Sequence, residues 1–351
     1  MNDLKPADLL ERILRAVEPY EFSTFVIGFD RGDMYDRARH EDLYRGWKRE
    51  IGEELTRRRP GVDADFLRPE IRIDVRPNGD LAIQSAPLFI GGRYRKLSRE
   101  IPATRWIHHA CHGLGCPTCS HTGNLCGPSI QELIEAPVLR STGGKRTRLH
   151  GLGREDVDAR MLGRGRPFVL EVHHPVRRSP DLEQVRDELH RLADGSAEVS
   201  ELTLVGPEAR TEVKEADAEK TYRAWLELSK PPDPAAVRRI EGLSGAVIDQ
   251  LSPSRVMHRR GCDTMRKRKL IDSSWLGEID GRCAWEVRLE AGAYVKELVS
   301  GDGGRTRPSL AEVLGFPCRC TALDVLEIHW EPSWEAQDAS PAKGSPGGGY
   351  G

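Results

Sequence analysis

The sequence predicts an α+β protein, because segments with helical spacing and segments with strand alternation follow one another along the chain. Apolar residues recur at helical spacing over residues 9–17. Residues 71–75 alternate apolar and polar side chains, a Pro-Asn-Gly-Asp turn follows at 77–80, and the alternation resumes at 81–83. An alternating pattern on both sides of such a turn is typical of a β-hairpin.

The rest of the chain carries the same two signals. The predicted strands are 25–29, 167–172, 199–205, 220–228, 285–290 and 323–330, and the predicted helices are 43–55, 181–193 and 293–299. Because several strands follow one another closely in the second half, we expect a mixed sheet with mainly antiparallel pairing there.

Length and hydropathy limit the class of protein. A chain of 351 residues suggests two or three domains. It contains no run of eighteen apolar residues, so we expect no membrane span. The N-terminus carries acidic residues in a helical pattern rather than a signal peptide, which predicts a cytoplasmic protein. The tail at 331–351 is of low complexity and is predicted to be disordered.

The net charge of −2 does not by itself indicate a nucleic-acid-binding protein, but the basic residues are unevenly distributed. They concentrate at 93–105, 140–154 and 255–269. One such stretch alone is typical of a solvated surface. The three together predict a surface that follows the phosphates of a nucleic acid.

Cysteines cluster in a glycine-rich segment that reads as a loop. Cys116 and Cys119 form a Cys-x-x-Cys pair, Cys111 supplies a third thiol, and either His108 or His109 can complete a Cys3His set. This donor set suits a tetrahedral structural zinc. The alternative is a group of free thiols near surface histidines.

Two carboxylates, Asp156 and Asp158, lie in an arginine-rich segment. The arginines around them are Arg154, Arg160, Arg164 and Arg166. Nearby cations favour an ionised carboxylate, as a nucleophile requires, and they can also hold phosphates. The alternative is a surface loop of mutually paired charges, and the spacing alone does not indicate an enzyme.

The sequence resembles the archaeal tRNA pseudouridine synthase family that modifies the T-arm uridines conventionally numbered 54 and 55. Ordered matches over about two thirds of the chain carry the resemblance. They are residues 87–106 with the cysteine cluster after them, 129–134, 153–168, 220–224, 255–260 and 290–310. The family's activity implies a tRNA isomerase that uses no nucleotide cofactor.

The resemblance also implies roles for individual residues. Arg154 and Asp156 match the Arg-x-Asp element, so Asp156 takes the nucleophile role and Arg154 lies against the substrate. Asp158 takes the nucleophile role if that alignment is shifted by two residues. Tyr222 matches the aromatic residue that packs on the target base, which must leave the RNA stack.

A second element of the family is Tyr-x-Arg/Lys, which Tyr294 and Lys296 match. The lysine is implied to pair with the catalytic carboxylate. Ala293 stands where the family commonly has threonine. His108 stands where many relatives have a ligand cysteine, which implies either a Cys3His zinc site or a weakened one.

The implied organisation has four parts. Residues 1–104 form a THUMP-related RNA-binding module, 105–130 a zinc-like knuckle, 131–330 the pseudouridine synthase catalytic domain, and 331–351 the disordered tail. The expected partner is the T arm of tRNA, and nothing requires more than a monomer.

Two other functions fit parts of the sequence. One is a non-catalytic RNA-binding protein of the same fold, stabilised by zinc. The other is a different RNA-modifying enzyme that shares the accessory module. Against the second stands the lack of a phosphate loop or a cofactor-binding glycine motif in the sequence.

Overall fold

The structure, a computed structural model, describes residues 5–30, 37–257 and 263–337. These residues fall into two compact units. The first comprises Met1–Ile90, Ile134–Leu149 and Leu170–Glu188, and the second comprises Gly91–Leu133, His150–Val169 and Leu189–Gly351, each as far as its residues are described. No helix in the described ranges is long and apolar enough to cross a membrane.

Helices and strands alternate along both units. The helices are α1 (Pro6–Val17), α2 (Arg37–Arg58), α3 (Ile130–Thr142), α4 (Leu182–Ala193), α5 (Glu208–Glu215), α6 (Pro234–Glu241), α7 (Val295–Ser300), α8 (Leu310–Leu314) and α9 (Ser333–Gln337). The strands are β1 (Thr24–Phe29), β2 (Asp63–Ala64), β3 (Ile71–Val75), β4 (Leu81–Ser85), β5 (Leu88–Lys96), β6 (Arg146–Gly151), β7 (Ala159–His173), β8 (Ala197–Val199), β9 (Thr203–Val205), β10 (Lys220–Leu228), β11 (Val247–Gln250), β12 (Arg266–Ile279), β13 (Arg282–Leu289), β14 (Thr306–Arg307) and β15 (Cys318–Ile328).

The predicted α+β class is confirmed, and so is the predicted hairpin, which is β3–β4. The predicted strand at 220–228 coincides with β10. The segment predicted as one strand at 199–205 instead contains two short strands, β8 and β9. Sequence patterns missed β12 because its basic first half hides the alternation.

The first unit contains a four-stranded sheet in the order β2-β1-β3-β4. β1 and β3 are parallel, with α2 in the connection between them, and β3 pairs antiparallel with β4. The apolar face of α1 is buried in the core of this unit, as the spacing of its apolar residues predicts.

The large sheet follows the order β14-β11-β12-β13-β10-β15-β7-β5-β8. In the second unit, β10 lies between β13 and β15, and both pairings are antiparallel. Tyr222 of β10 is opposite Val325 of β15, and Leu323 of β15 is opposite Ala159 of β7. The register therefore brings the start of β7 close to the middle of β10.

The chain stays ordered beyond the last strand. Within the predicted disordered tail, α9 is helical, Trp334 is buried, and Glu335 pairs with Arg93 at 2.6 Å. These contacts fix the described part of the tail on the second unit. The rest of the predicted tail, residues 338–351, lies outside the described residues.

A buried carboxylate joins three strands and a loop of the second unit. Asp324 on β15 is only 1% exposed and accepts hydrogen bonds from Arg160 Nε at 2.8 Å, Trp225 Nε1 at 2.8 Å and Arg99. Burial alone raises the pKa of Asp324, but these donors outweigh burial and lower it below its usual value.

Replacing Asp324 with asparagine is expected to lower the free energy of unfolding by about 2 kcal/mol at neutral pH, because the change leaves partly buried guanidinium groups without their carboxylate. Since the folded-state pKa of Asp324 is lowered, this stabilisation is present above about pH 4. It is lost as the pH falls through the folded-state value. Urea unfolding at several pH values measures the effect, and the difference from the wild type should shrink in acid.

The matched control is Glu227→Gln in β10. Glu227 on β10 pairs with Arg319 on β15, the strand that also carries Asp324, but both side chains are more than half exposed. An exposed pair contributes little, so this change should alter the free energy of unfolding by less than about 0.5 kcal/mol. Equal effects of the two substitutions would contradict a structural role for Asp324.

Candidate active site

A cavity of about 310 Å³ opens in the second unit, where β7, β10, β15 and α7 meet. The predicted nucleophile and the four other site residues that the family resemblance implies line it. They are Arg154, Asp156, Tyr222, Tyr294 and Lys296. Residues more than 130 positions apart in sequence are therefore brought to one pocket.

Asp156 lies in the loop between β6 and β7, and its side chain is 47% exposed. Its backbone carbonyl accepts a hydrogen bond from the amide of Ala159 at the start of β7. The carboxylate lies 3.2 Å from Arg255 Nη1 and 3.4 Å from Lys296 Nζ. Two cations thus flank a carboxylate that solvent and ligands can reach.

The arginine beside Asp156 is itself held in place. Arg255 Nε donates to Glu297 Oε1 at 2.7 Å, and Glu297 is buried in α7. Burial lowers the pKa of Arg255, but Glu297 and the two aspartates outweigh burial and raise it. The guanidinium therefore stays charged at neutral pH.

Asp158 takes a different position from Asp156. Lys296 Nζ donates to both of its carboxylate oxygens at 2.7 Å. Partial burial raises the pKa of Asp158, but the lysine more than compensates and lowers it. Asp158 does not belong to the lining of the cavity.

The arginines that are close to Asp156 in sequence are engaged elsewhere. Their carboxylate partners are Asp324 for Arg160, Glu331 for Arg164 and Glu155 for Arg166. Arg166 nevertheless lines the cavity that holds Asp156, whereas Arg160 and Arg164 do not belong to its lining. Arg154 lines the cavity and lies 3.5 Å from Thr104 Oγ1.

The floor of the cavity contains a buried ion pair. Glu155 and Arg166 are joined by bonds of 2.8 and 2.9 Å, and their side chains are 1% and 3% exposed. Tyr94 donates its hydroxyl to the same carboxylate at 3.2 Å. This pair anchors the loop that carries Asp156.

Two titratable groups from β10 line the cavity above this pair. Burial raises the pKa of Tyr222 to about 12, so its phenol stays protonated at neutral pH. Burial lowers the pKa of Lys220 to about 8. Lys220 Nζ donates to the carbonyl of Ala218 at 3.0 Å, which aligns the lysine along the strand.

Gln250 on β11 is a residue that sequence reasoning missed. Its side-chain amide accepts from the backbone N–H of Tyr294 at 2.9 Å and donates to the carbonyl of Tyr294 at 3.0 Å. Gln250 is fully buried, so this double contact fixes the backbone where α7 begins. No local pattern in the sequence marks a glutamine for this contact.

The predicted phosphate-following surface is wrong for part of the first basic stretch. Lys96 is fully buried and donates to three backbone carbonyls. Arg93 is buried against Glu335, and Arg99 binds Asp324. These side chains stabilise the fold. Of the third stretch, residues 258–262 lie outside the described part of the chain.

The cysteine cluster has the spacing of a tetrahedral metal site. His108 Nδ1 lies 3.3 and 3.5 Å from the sulfurs of Cys111 and Cys116, and Cys119 lies 3.9 and 3.7 Å from the same two sulfurs. Zinc bonds of about 2.3 Å to sulfur and about 2.0 Å to nitrogen place tetrahedral ligands about 3.5–3.8 Å apart. The four residues therefore fit a zinc ion, and it is His108 rather than His109 that lies with the three cysteines.

The backbone around the cluster is shaped for close approach. Gly115 has a φ of +90°, and a Cβ there would lie 2.6 Å from the carbonyl oxygen of His121. Only glycine fits that position. Burial raises the pKa of Cys119, but N–H donation from Cys116 and Gly123 lowers it to about 7, which favours the thiolate.

Comparison with solved structures gives only distant likenesses. A chain of a Cbf5-Nop10-Gar1 complex matches 57% of this chain and 46% of its own length, with 17% identity and a TM-score of 0.35. A chain of an archaeal box H/ACA sRNP Nop10-Cbf5 complex gives a TM-score of 0.29. Scores this low carry no argument about the site.

Comparison of sequences is decisive. The family described as "Pus10, C-terminal" matches residues 89–329. The tRNA pseudouridine synthase Pus10 of Methanothermobacter marburgensis is 44% identical over 290 residues, covering 81% of this chain and 71% of the relative. That of Methanothrix thermoacetophila is 40% identical over 339 residues (93% and 74%), and that of Archaeoglobus fulgidus 36% over 329 residues (92% and 91%). The chain belongs to the Pus10 family of tRNA pseudouridine synthases and is an isomerase.

Proposed function

We propose that the protein converts uridine to pseudouridine in the T arm of tRNA, at position 54, position 55 or both, with Asp156 as the nucleophile. The observation that carries the proposal is the position of Asp156, which lines the cavity between two cations and beside Tyr222 and Tyr294. This arrangement supports the roles that the family resemblance implies.

The reaction exchanges one glycosidic bond for another. The C1′–N1 bond breaks, the base turns, the C1′–C5 bond forms, C5 loses its proton and N1 gains one. The exchange is redox-neutral, so it requires no oxidant or reductant. Asp156 starts it by attack on the sugar or the base or by proton abstraction, and Arg255 and Lys296 stabilise its charged form.

The uridine must leave the RNA stack to reach this cavity. Tyr222 offers an aromatic surface that replaces the lost stacking, and Arg154 lies at the cavity wall against the substrate. Because the pKa of Tyr222 is about 12, the tyrosine acts as a neutral surface and hydrogen-bond donor rather than as a base.

The remaining parts of the chain support substrate binding in this proposal. Residues 1–104 form a THUMP-related module that binds tRNA by shape and phosphate contacts. Residues 105–130 form a knuckle in which His108, Cys111, Cys116 and Cys119 hold a structural zinc. The protein acts as a monomer, and residues 131–330 carry the catalytic domain.

Replacing Asp156 with asparagine is expected to abolish pseudouridine formation while leaving tRNA affinity within about threefold, because the change removes the nucleophile and keeps its shape. Pseudouridine mapping on an unmodified tRNA transcript measures the product, and filter binding measures the affinity. Transcripts with cytidine at position 54 or at position 55 identify the target.

The matched control is Asp158→Asn. Asp158 also accepts hydrogen bonds from Lys296, but it does not line the cavity. It should retain activity, reduced by no more than about tenfold. Full activity of Asp156→Asn together with an inactive Asp158→Asn would transfer the nucleophile role to Asp158. Tight tRNA binding by a wild-type protein that forms no pseudouridine would favour the non-catalytic RNA-binding protein.

Substitutions at Tyr222 separate stacking from hydrogen bonding. Tyr222→Phe keeps the ring and should keep kcat/KM within about tenfold, whereas Tyr222→Leu should lower it about a hundredfold, since base–aromatic stacking contributes about 1–3 kcal/mol per base. Single-turnover kinetics on the same transcript measure both. Equal losses in the two variants would contradict a stacking role.

If the cysteine cluster holds a structural zinc, purified protein should contain about one equivalent of zinc, and chelation or Cys116→Ser should lower the melting temperature by several degrees. Cys126→Ser is the control, because Cys126 is a free cysteine outside the ligand set. Metal-free protein that melts at an unchanged temperature would contradict the site.

A further inference from the structure

The basic start of β12 divides into two faces. Arg266 and Arg268 are partly buried, whereas Lys267 and Lys269 are exposed, as strand alternation requires. We propose that Arg266 and Arg268 together bind one backbone phosphate next to the reacting uridine. This inference rests on the proposed function and names the substrate group that these two residues recognise.

Arg266 belongs to the cavity that holds Asp156. It lines the cavity, and its guanidinium carbon lies 5.8 Å from the centre of the Tyr294 ring. The ring orients the guanidinium by a cation–π contact and leaves its N–H groups for another partner. Among the described residues, no carboxylate lies within ion-pair distance of Arg266.

Arg268 is placed on the same side of the strand. Its Nη1 donates to the carbonyl of Lys267 at 2.8 Å, while its buried Nε has no hydrogen-bond partner among the described residues. A buried N–H without an acceptor is unfavourable by about 1–3 kcal/mol. An incoming anionic oxygen would supply the acceptor that is missing.

Gly292 lies where the two guanidinium groups converge. A Cβ at this position would lie 3.4 Å from Arg268 Nη2 and 3.9 Å from Arg266 Nη1, and Gly292 also lines the cavity. The φ of Gly292 is +80°. The glycine therefore keeps open a space at the cavity wall that two arginines border.

The other cations of the cavity already have partners. Arg166 pairs with Glu155, Arg154 lies against the hydroxyl of Thr104, and Lys220 donates to a backbone carbonyl. Arg255 binds Glu297 and Asp156, and Lys296 binds Asp158 and Asp156. Arg266 and Arg268 are thus two neighbouring guanidinium groups that have no carboxylate partner among the described residues. The planar fork of a guanidinium fits a phosphate, and a uridine that enters the cavity brings its flanking phosphates to the cavity wall.

The test compares the arginine pair with the lysine pair of the same strand. The double variant Arg266→Gln/Arg268→Gln should raise the KM for unmodified tRNA about tenfold to a hundredfold and leave kcat within about threefold. A plot of log KM against log salt concentration should also have a slope smaller by about 0.7–0.9. That is the change expected for the loss of one phosphate contact, because both arginines bind the same phosphate. Lys267→Gln/Lys269→Gln removes the same charge from the exposed face and should change KM by less than about threefold.

A second arm changes the substrate instead of the protein, so its measurement on the wild type does not depend on how well a variant folds. In synthetic T-arm RNAs, the linkages flanking the target uridine are replaced one at a time by neutral methylphosphonate. One linkage should raise the KM of the wild-type protein about tenfold or more. The arginine double variant should show no further loss with that RNA, because the contact is already absent.

Three outcomes would overturn the inference. They are an equal rise in KM for the lysine and arginine variants, no single linkage whose neutralisation affects the wild type, and a linkage penalty that persists unchanged in the arginine variant. Failure of the proposed function is distinguished from these, because wild-type protein would then form no pseudouridine on any RNA, whatever the substitutions do to binding.

Discussion

The buried ion pair between Glu155 and Arg166 is the contact on which the rest of the site depends. Both side chains are almost completely excluded from solvent, so breaking the pair would leave an uncompensated buried charge at a cost of about 3–5 kcal/mol. Glu155 and its neighbour Asp156 both line the cavity, but the side chain of Glu155 is buried whereas that of Asp156 is 47% exposed. Tyr94 fixes the carboxylate of Glu155 from β5. The loop before β7 is thereby fixed at one residue, and the proposed nucleophile is the next one.

The positive charges of the second unit fall into three groups with different roles. Some stabilise the fold: Lys96 donates hydrogen bonds to backbone carbonyls, and Arg160 donates to the buried carboxylate of Asp324. Others face Asp156 and are held by carboxylates of their own, as Arg255 is by Glu297. A few, such as Arg266, have no carboxylate partner among the described residues. A count of basic residues in the sequence cannot separate these groups, because the partners lie on distant strands.

The sequence predicted what depends on local patterns. The β3–β4 hairpin follows from alternation around a turn, and β10 has the bounds that its apolar spacing predicts. Ordered motifs also pointed to Asp156, Tyr222, Tyr294 and Lys296, which the fold brings to one cavity. The sequence could not predict which side chains form hydrogen bonds with residues far away along the chain. Gln250 forms hydrogen bonds with the backbone of Tyr294, which is 44 residues away in sequence. Asp324 accepts a hydrogen bond from Arg160, which is 164 residues away. Neither residue type is unusual where it stands, so only the tertiary structure reveals its role.

The charges around Asp156 follow from this pairing. Arg255 and Lys296 are the two cations, and each has a second carboxylate, Glu297 for the arginine and Asp158 for the lysine. Two cations and three carboxylates leave one negative charge on the cluster. The second carboxylates make the shorter contacts, at 2.7 Å, against 3.2 and 3.4 Å for Asp156. The cations are therefore held mainly by Glu297 and Asp158, and the uncompensated charge resides on Asp156. A carboxylate that lies beside two cations, yet is bound only loosely by them, keeps its oxygens available to the substrate. That combination is what a nucleophile at this position needs.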